Sequence, residues 1–259
     1  MLVAVAAFGA IGVAVLVYLV RTAARGARHA RSDADGGSAL LHKAVMELAY
    51  WVVEPVVGVL VAARVTPAAV TIFSLVPAAL SGVFVALGWF ALAATIGAIG
   101  ALCDLVDGLL ARRLGVASDA GEVLDAAVDR GAEFLFLAGV AVYYRTNVKC
   151  LLLTLAALFG GFMVSYTTAK AEALRVAAPR GAMRRPERAV YLLVGAALTA
   201  LTRALWGGSV SLVLRELPII LALALVATVT NVSTVQRLVA VVGRLRARGS
   251  VGEGSRLVP

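Results

Sequence analysis

A chain of 259 residues that is 61% hydrophobic, with a mean hydropathy of +0.95, stands well above the roughly 45–50% apolar share of soluble domains and is an integral membrane protein. Its 24 Lys and Arg against 15 Asp and Glu leave a net charge of +9. No nucleic-acid-binding motif accompanies that charge, and the basic residues flank apolar segments, so anionic headgroups and membrane topology account for it. Two cysteines, Cys103 and Cys150, supply neither a disulfide framework nor zinc spacing, and the isolated His29 and His42 have nothing to pair with as ligands.

Met1 to Val20 is apolar and uncharged, long enough to span a bilayer, and Arg21, Arg25, Arg28 and Arg31 follow at once. A cleaved signal would place its positive charge first, so the order predicts a retained helix with its C-terminal end in the cytoplasm. A basic linker (21–38) leads to Ala39–Arg64, where Lys43, Glu47, Tyr50 and Glu54 draw one polar stripe. That spacing predicts an amphipathic helix in the cytoplasmic interface, and Glu54 and Pro55 count against a true span there. The first core span opens at Thr66–Pro67 and runs to about Leu87, with Gly88 and Trp89 forming the outer turn. A second span covers Ala91–Leu110, a third Gly121–Tyr144, a fourth Cys150–Lys170, a fifth Ala189–Trp206 and a sixth Leu217–Gln236. On this topology all but four of the 24 Lys and Arg (Arg145, Lys149, Arg203, Arg215) lie inside, as the positive-inside rule demands. The tail after Arg244 is expected to lack fixed structure.

The stretch Asp104–Asp129, DLVDGLLARRLGVASDAGEVLDAAVD, sits between two long apolar segments. Ionisable groups cost about 2.5–3.5 kcal/mol each inside a membrane helix, so several together need a use. Read as two helices and a polar turn, it puts Asp104, Asp107 and Gly108 on one stripe, with Ala111 and Arg112 continuing it. Gly121, Asp125 and Asp129, four apart, share a face of the second helix. If these faces meet, four carboxylates converge, and their repulsion calls for a hard divalent cation such as Mg²⁺ or Mn²⁺. Asp119 and Glu122 suit a solvated helix start instead, while Arg130 can serve structure or function by pairing with a carboxylate.

The pattern D-x2-D-G-x2-A-R-x8-G-x3-D-x3-D, matched here at all eight positions, resembles the signature of the CDP-alcohol phosphotransferases. The likeness extends more weakly from about Thr66 to Arg237. It implies an all-α, polytopic bundle of six core spans, residues 66–237, to which helix 1–20, the interfacial helix (39–65) and the basic tail (238–259) are added. It also implies transfer of a phosphatidyl group from CDP-diacylglycerol to a polar alcohol, with release of CMP. Carried over position by position, Asp104, Asp107, Asp125 and Asp129 are metal ligands for two Mg²⁺ or Mn²⁺ ions, and Asp129 is also the base that deprotonates the acceptor. Gly108, Ala111, Arg112, Gly121 and Thr71 shape the nucleotide and diphosphate pocket. Ala68 departs from the asparagine common in the family's entry motif, and a methyl cannot replace an amide's hydrogen bonds.

Segments AKAE and RRPER resemble those of the phosphatidylinositol phosphate synthases, which implies that Lys170, Arg185 and Arg188 hold a phosphorylated acceptor, inositol phosphate or glycerol phosphate. The competing explanations are ordinary positive-inside charge for these three residues, and a cation path in a transporter for the aspartates. The implied setting is a bacterial cytoplasmic membrane with the active site facing the cytoplasm. The partners are the lipid donor, the alcohol and membrane lipids, with no nucleic acid and with a homodimer left open.

Overall fold

The computed structural model describes residues 43–179, 183–206 and 211–254. The expected N-terminal helix 1–20 and linker 21–38 lie outside them. Every element among the described residues is helical: α1 (Lys43–Ala62), α2 (Pro67–Phe73), α3 (Leu75–Ala86), α4 (Phe90–Leu114), α5 (Asp119–Tyr143), α6 (Val148–Ala173), α7 (Arg185–Trp206), α8 (Leu212–Arg215) and α9 (Leu217–Gly254).

The chain is an all-α membrane bundle, as expected. Among the described residues five stretches are long and apolar enough to cross a bilayer: Pro67–Ala86, Phe90–Leu114, Val148–Ala173, Arg185–Trp206 and Leu217–Arg248. Asp119–Tyr143, the expected third span, has 25 residues, about 37 Å at 1.5 Å per residue. Its six charged side chains, all in the first fifteen positions, keep it out of that apolar set.

Six helices close a ring. α3 packs on both α4 and α5, α5 on α6, α6 on α9, α9 on α7, and α7 back on α4. The ring depends on small residues where axes approach. Gly82 and Gly139 face each other across α3 and α5, and a Cβ on either would collide with the partner's backbone carbonyls. A core of Val85, Phe90, Leu137, Val140, Leu192 and Leu223 fills its centre. A smaller cluster, Val53, Val57, Val70, Val106 and Leu110, fastens α1 and α2 to α4. The far end is tied by polar contacts: Tyr143 hydrogen-bonds Glu216, and Arg203 Nη1 donates to Gly88 O at 3.1 Å. Large apolar side chains such as Phe73, Leu152, Phe159 and Val239 remain exposed on the ring's outside, the surface a bilayer would cover.

Four details differ from the sequence reading. The first core span is broken at Ser74, where Pro77 removes a backbone donor and the Ser74 hydroxyl turns back to Thr71 O at 2.6 Å. The fifth span starts at Arg185 rather than Ala189, because Glu187 Oε2 accepts from Arg184 N at 2.8 Å and so caps an earlier turn. Tyr50, placed on a polar stripe, is buried with Val53 and Val57 against α4, while Val52, Val56 and Val59 are exposed. The last helix continues past Arg244 to Gly254; Leu245, Arg246, Ala247 and Arg248 are strong helix formers that carry it on, while Gly249, Gly252 and Gly254 are not.

Candidate active site

The site lies where α4 ends and α5 begins. Gly115 closes α4 in a left-handed conformation (φ 67°), and Ser118 caps α5 by accepting from Gly121 N at 3.2 Å. The short turn makes the two helices antiparallel, yet they diverge and are held mainly through α3. Their carboxylates meet across the gap.

Asp104, Asp107 and Asp125 each offer an oxygen, all within 4.8 Å of one another. Asp107 is buried, and its Oδ2 accepts from Thr71 Oγ1 at 2.6 Å. Asp125 Oδ1 is buried with no partner among the described residues. Three converging carboxylates, one with an orphaned oxygen and one steered by a neighbouring hydroxyl, fit a hard divalent cation. Asp129, expected as a fourth ligand, stands one turn further along. It pairs with Arg185, whose Nη1 also lies 3.0 Å from Asp104 Oδ1. One guanidinium on α7 thus joins the α4 and α5 acids.

A cavity of about 830 Å³ opens beside the triad, and Thr71, Gly108, Ala111, Arg112 and Gly121 all line it. Gly108 matters through what it lacks, since a Cβ there would sit 3.2 Å from Arg112 Nη2. The bare backbone lets that guanidinium lie against the cavity wall. Thr71 does more than line the wall, because its hydroxyl orients Asp107. Ala68 also lines the cavity, as does Tyr50, which the polar-stripe reading of α1 had assigned to no site.

The three basic residues are dispersed. Lys170 is exposed in the last turn of α6, Arg185 bridges Asp104 and Asp129, and Arg188 is buried. Arg188 grips Glu133 with two bonds, Nε to Oε1 at 2.6 Å and Nη2 to Oε2 at 2.8 Å. Arg130 Nη1 lies 3.9 Å from Glu133 Oε2. Sequence reasoning passed over Glu133, although the signal was present: Gly121, Asp125, Asp129 and Glu133 continue a single four-residue step into an apolar segment.

Residues 64–229 match the family model of the CDP-alcohol phosphatidyltransferases. The chain is 32% identical over 194 residues to a phosphatidylinositol phosphate synthase of Cutibacterium acnes, spanning 73% of this chain and 92% of that one. Its counterpart in Streptomyces avermitilis is 31% identical over 227 residues, 85% of this chain and 92% of the relative. Among solved structures, Mycobacterium tuberculosis phosphatidylinositol phosphate synthase with CDP-DAG bound superposes with a TM-score of 0.63 at 25% identity, covering 72% of this chain and 92% of that one. The same enzyme in complex with manganese and citrate gives the same score and identity over 72% and 87%. The whole aspartate pattern falls within the matched region, so the transporter reading finds no support.

Proposed function

The chain belongs to the CDP-alcohol phosphatidyltransferase family, and on that premise we propose that it transfers the phosphatidyl group of CDP-diacylglycerol to inositol phosphate, releasing CMP. It is a membrane-integral transferase of phospholipid synthesis that works with a divalent metal. The reading of the site rests above all on one observation, the convergence of Asp104, Asp107 and Asp125 beside a cavity of about 830 Å³.

The following roles are part of this proposal. Asp104, Asp107 and Asp125 would hold the metal, Asp129 joining them for a second ion, and when bound it supplies neutralisation of the diphosphate and of the CMP phosphate as it leaves. Arg112, lying over Gly108, binds the diphosphate from the cavity wall, and Gly121 and Ala111 keep that wall low enough for the nucleotide. The acceptor hydroxyl attacks the phosphorus that bears diacylglycerol, and the bond from that phosphorus to the bridging oxygen breaks. The hydroxyl proton passes to Asp129, oriented for it by Arg185. Lys170, Arg185 and Arg188 supply positive charge for a phosphorylated acceptor. The site faces the cytoplasm of a bacterial cell, because the basic residues crowd the end of the bundle that carries it.

Support for inositol phosphate comes from what the relatives are; the charge suits any phosphorylated acceptor, so glycerol phosphate serves as the control. The test is CMP release from CDP-diacylglycerol by purified protein with inositol phosphate, inositol, glycerol phosphate or serine. Saturable release with inositol phosphate is expected. Release with free inositol and none with its phosphate would overturn the phosphorylated acceptor.

A further inference from the structure

α5 and α7 stand opposite each other in the ring, and their charged residues reach across it in two rungs: Asp129 with Arg185, then Glu133 with Arg188. The second rung is costly to keep. Arg188 is 2% exposed and the Glu133 side chain 7%, and a buried ion pair is commonly no more stabilising than apolar residues of the same shape. The fold also makes room for it. On α6, a Cβ at Gly161 would lie 2.9 Å from Glu133 Oε1 and 3.4 Å from Arg188 Nε.

The rung reaches open space through its acid: Glu133, with Arg185 of the first rung, lines a cavity of about 80 Å³ between α3, α4, α5 and α7, behind which Arg188 lies buried. The fork on Glu133 engages Nε–H and one Nη2–H of Arg188. A guanidinium carries five N–H donors, so three are left uncommitted by this pair and are held in a fixed plane.

We propose that Glu133 is a positioning residue for the acceptor: it aims the unused edge of Arg188 at the acceptor's phosphate. Glu133 touches no substrate and acts through Arg188. The proposal rests on the phosphorylated-acceptor reading above. Without Glu133 the arginine keeps its charge and loses its plane, so affinity for the phosphate falls while the lipid donor, held elsewhere, is unaffected.

The experiment measures both KM values for CMP release in wild type, Glu133→Gln, Glu133→Asp, Arg188→Ala and the Glu133→Gln/Arg188→Ala double variant. Glu133→Gln should raise the acceptor KM about tenfold and leave the donor KM within about twofold, with Glu133→Asp in between. In the Arg188→Ala background the glutamine substitution should add nothing, because its effect runs through that arginine. A pair that only braces helices would lower thermal stability and active fraction with both KM values unmoved, or move the two together; either result overturns the proposal. Should Glu133→Gln fail to fold, the acceptor KM of Glu133→Asp decides on the same criteria. A wild type active only with unphosphorylated alcohols removes the acceptor assignment first, visibly, before any variant is made, and this inference with it.

Discussion

At the scale of single residues, a carboxylate's usefulness here depends on what holds it. Asp107 is buried beneath the Thr71 hydroxyl at 2.6 Å, and an outer partner of this kind typically affects metal affinity ten- to a hundredfold. Thr71→Val should therefore weaken Mn²⁺ binding by about that factor, while Thr71→Ser keeps the hydroxyl and most of the affinity. Titration with Mn²⁺ followed by electron paramagnetic resonance reads this without reference to turnover. Asp104→Asn and Asp125→Asn should abolish CMP release, since each removes one of three converging ligands. Chelation should likewise silence the wild type and added Mg²⁺ or Mn²⁺ restore it. Activity persisting in chelator would end the metal assignment.

Between elements, the close approach of α3 and α5 is more demanding than any ion pair on the surface. A side chain at Gly139 meets the Gly82 carbonyl and Val85, and overpacking of this sort costs about 1–3 kcal/mol. Gly139→Leu should lower the thermal unfolding midpoint in detergent by several degrees and displace α5, with loss of activity. The Glu54–Arg113 bridge between α1 and α4 leaves its two side chains 37% and 45% exposed. Exposed pairs of this kind contribute about 0–1 kcal/mol, so Glu54→Gln should shift the same midpoint by little. A large shift there would mean that α1 is anchored by charge rather than by Tyr50, Val53 and Val57.

For the whole molecule, orientation is set by charge distribution and is open to direct measurement. In a variant with Cys103 and Cys150 replaced by serine, Asn147→Cys should react with an impermeant thiol reagent added to intact cells. Ala117→Cys, in the turn beside the aspartates, should react only after the membrane is opened. The reverse labelling would turn the site outward and deny it a cytoplasmic nucleotide. This outcome concerns the bundle as a unit, since the ring of helices places the α4–α5 turn and the α7 start at one end and the Tyr143–Glu216 tie at the other.

The sequence by itself determined the membrane class, the chain order of the apolar helices and the eight-position aspartate pattern, because each is a property of composition or of spacing along one helix. Helical periodicity puts Asp104 with Asp107, and Asp125 with Asp129, on common faces whatever the helices pack against. It also held the clue to Glu133, one more four-residue step, but an acidic residue at helical spacing does not disclose its partner. Only the tertiary structure decided which faces meet: that α4 and α5 splay so that three of the four aspartates converge, that Arg185 takes Asp129, and that Thr71, thirty-six residues from Asp107, supplies its hydrogen bond. The same holds for Arg188, which the sequence offers beside Lys170 and Arg185 as an acceptor-binding cation with no partner named and which the fold buries against Glu133. Pairings between separate helices depend on axis distances set by residues such as Gly82, Gly139 and Gly161, and no local periodicity encodes those distances.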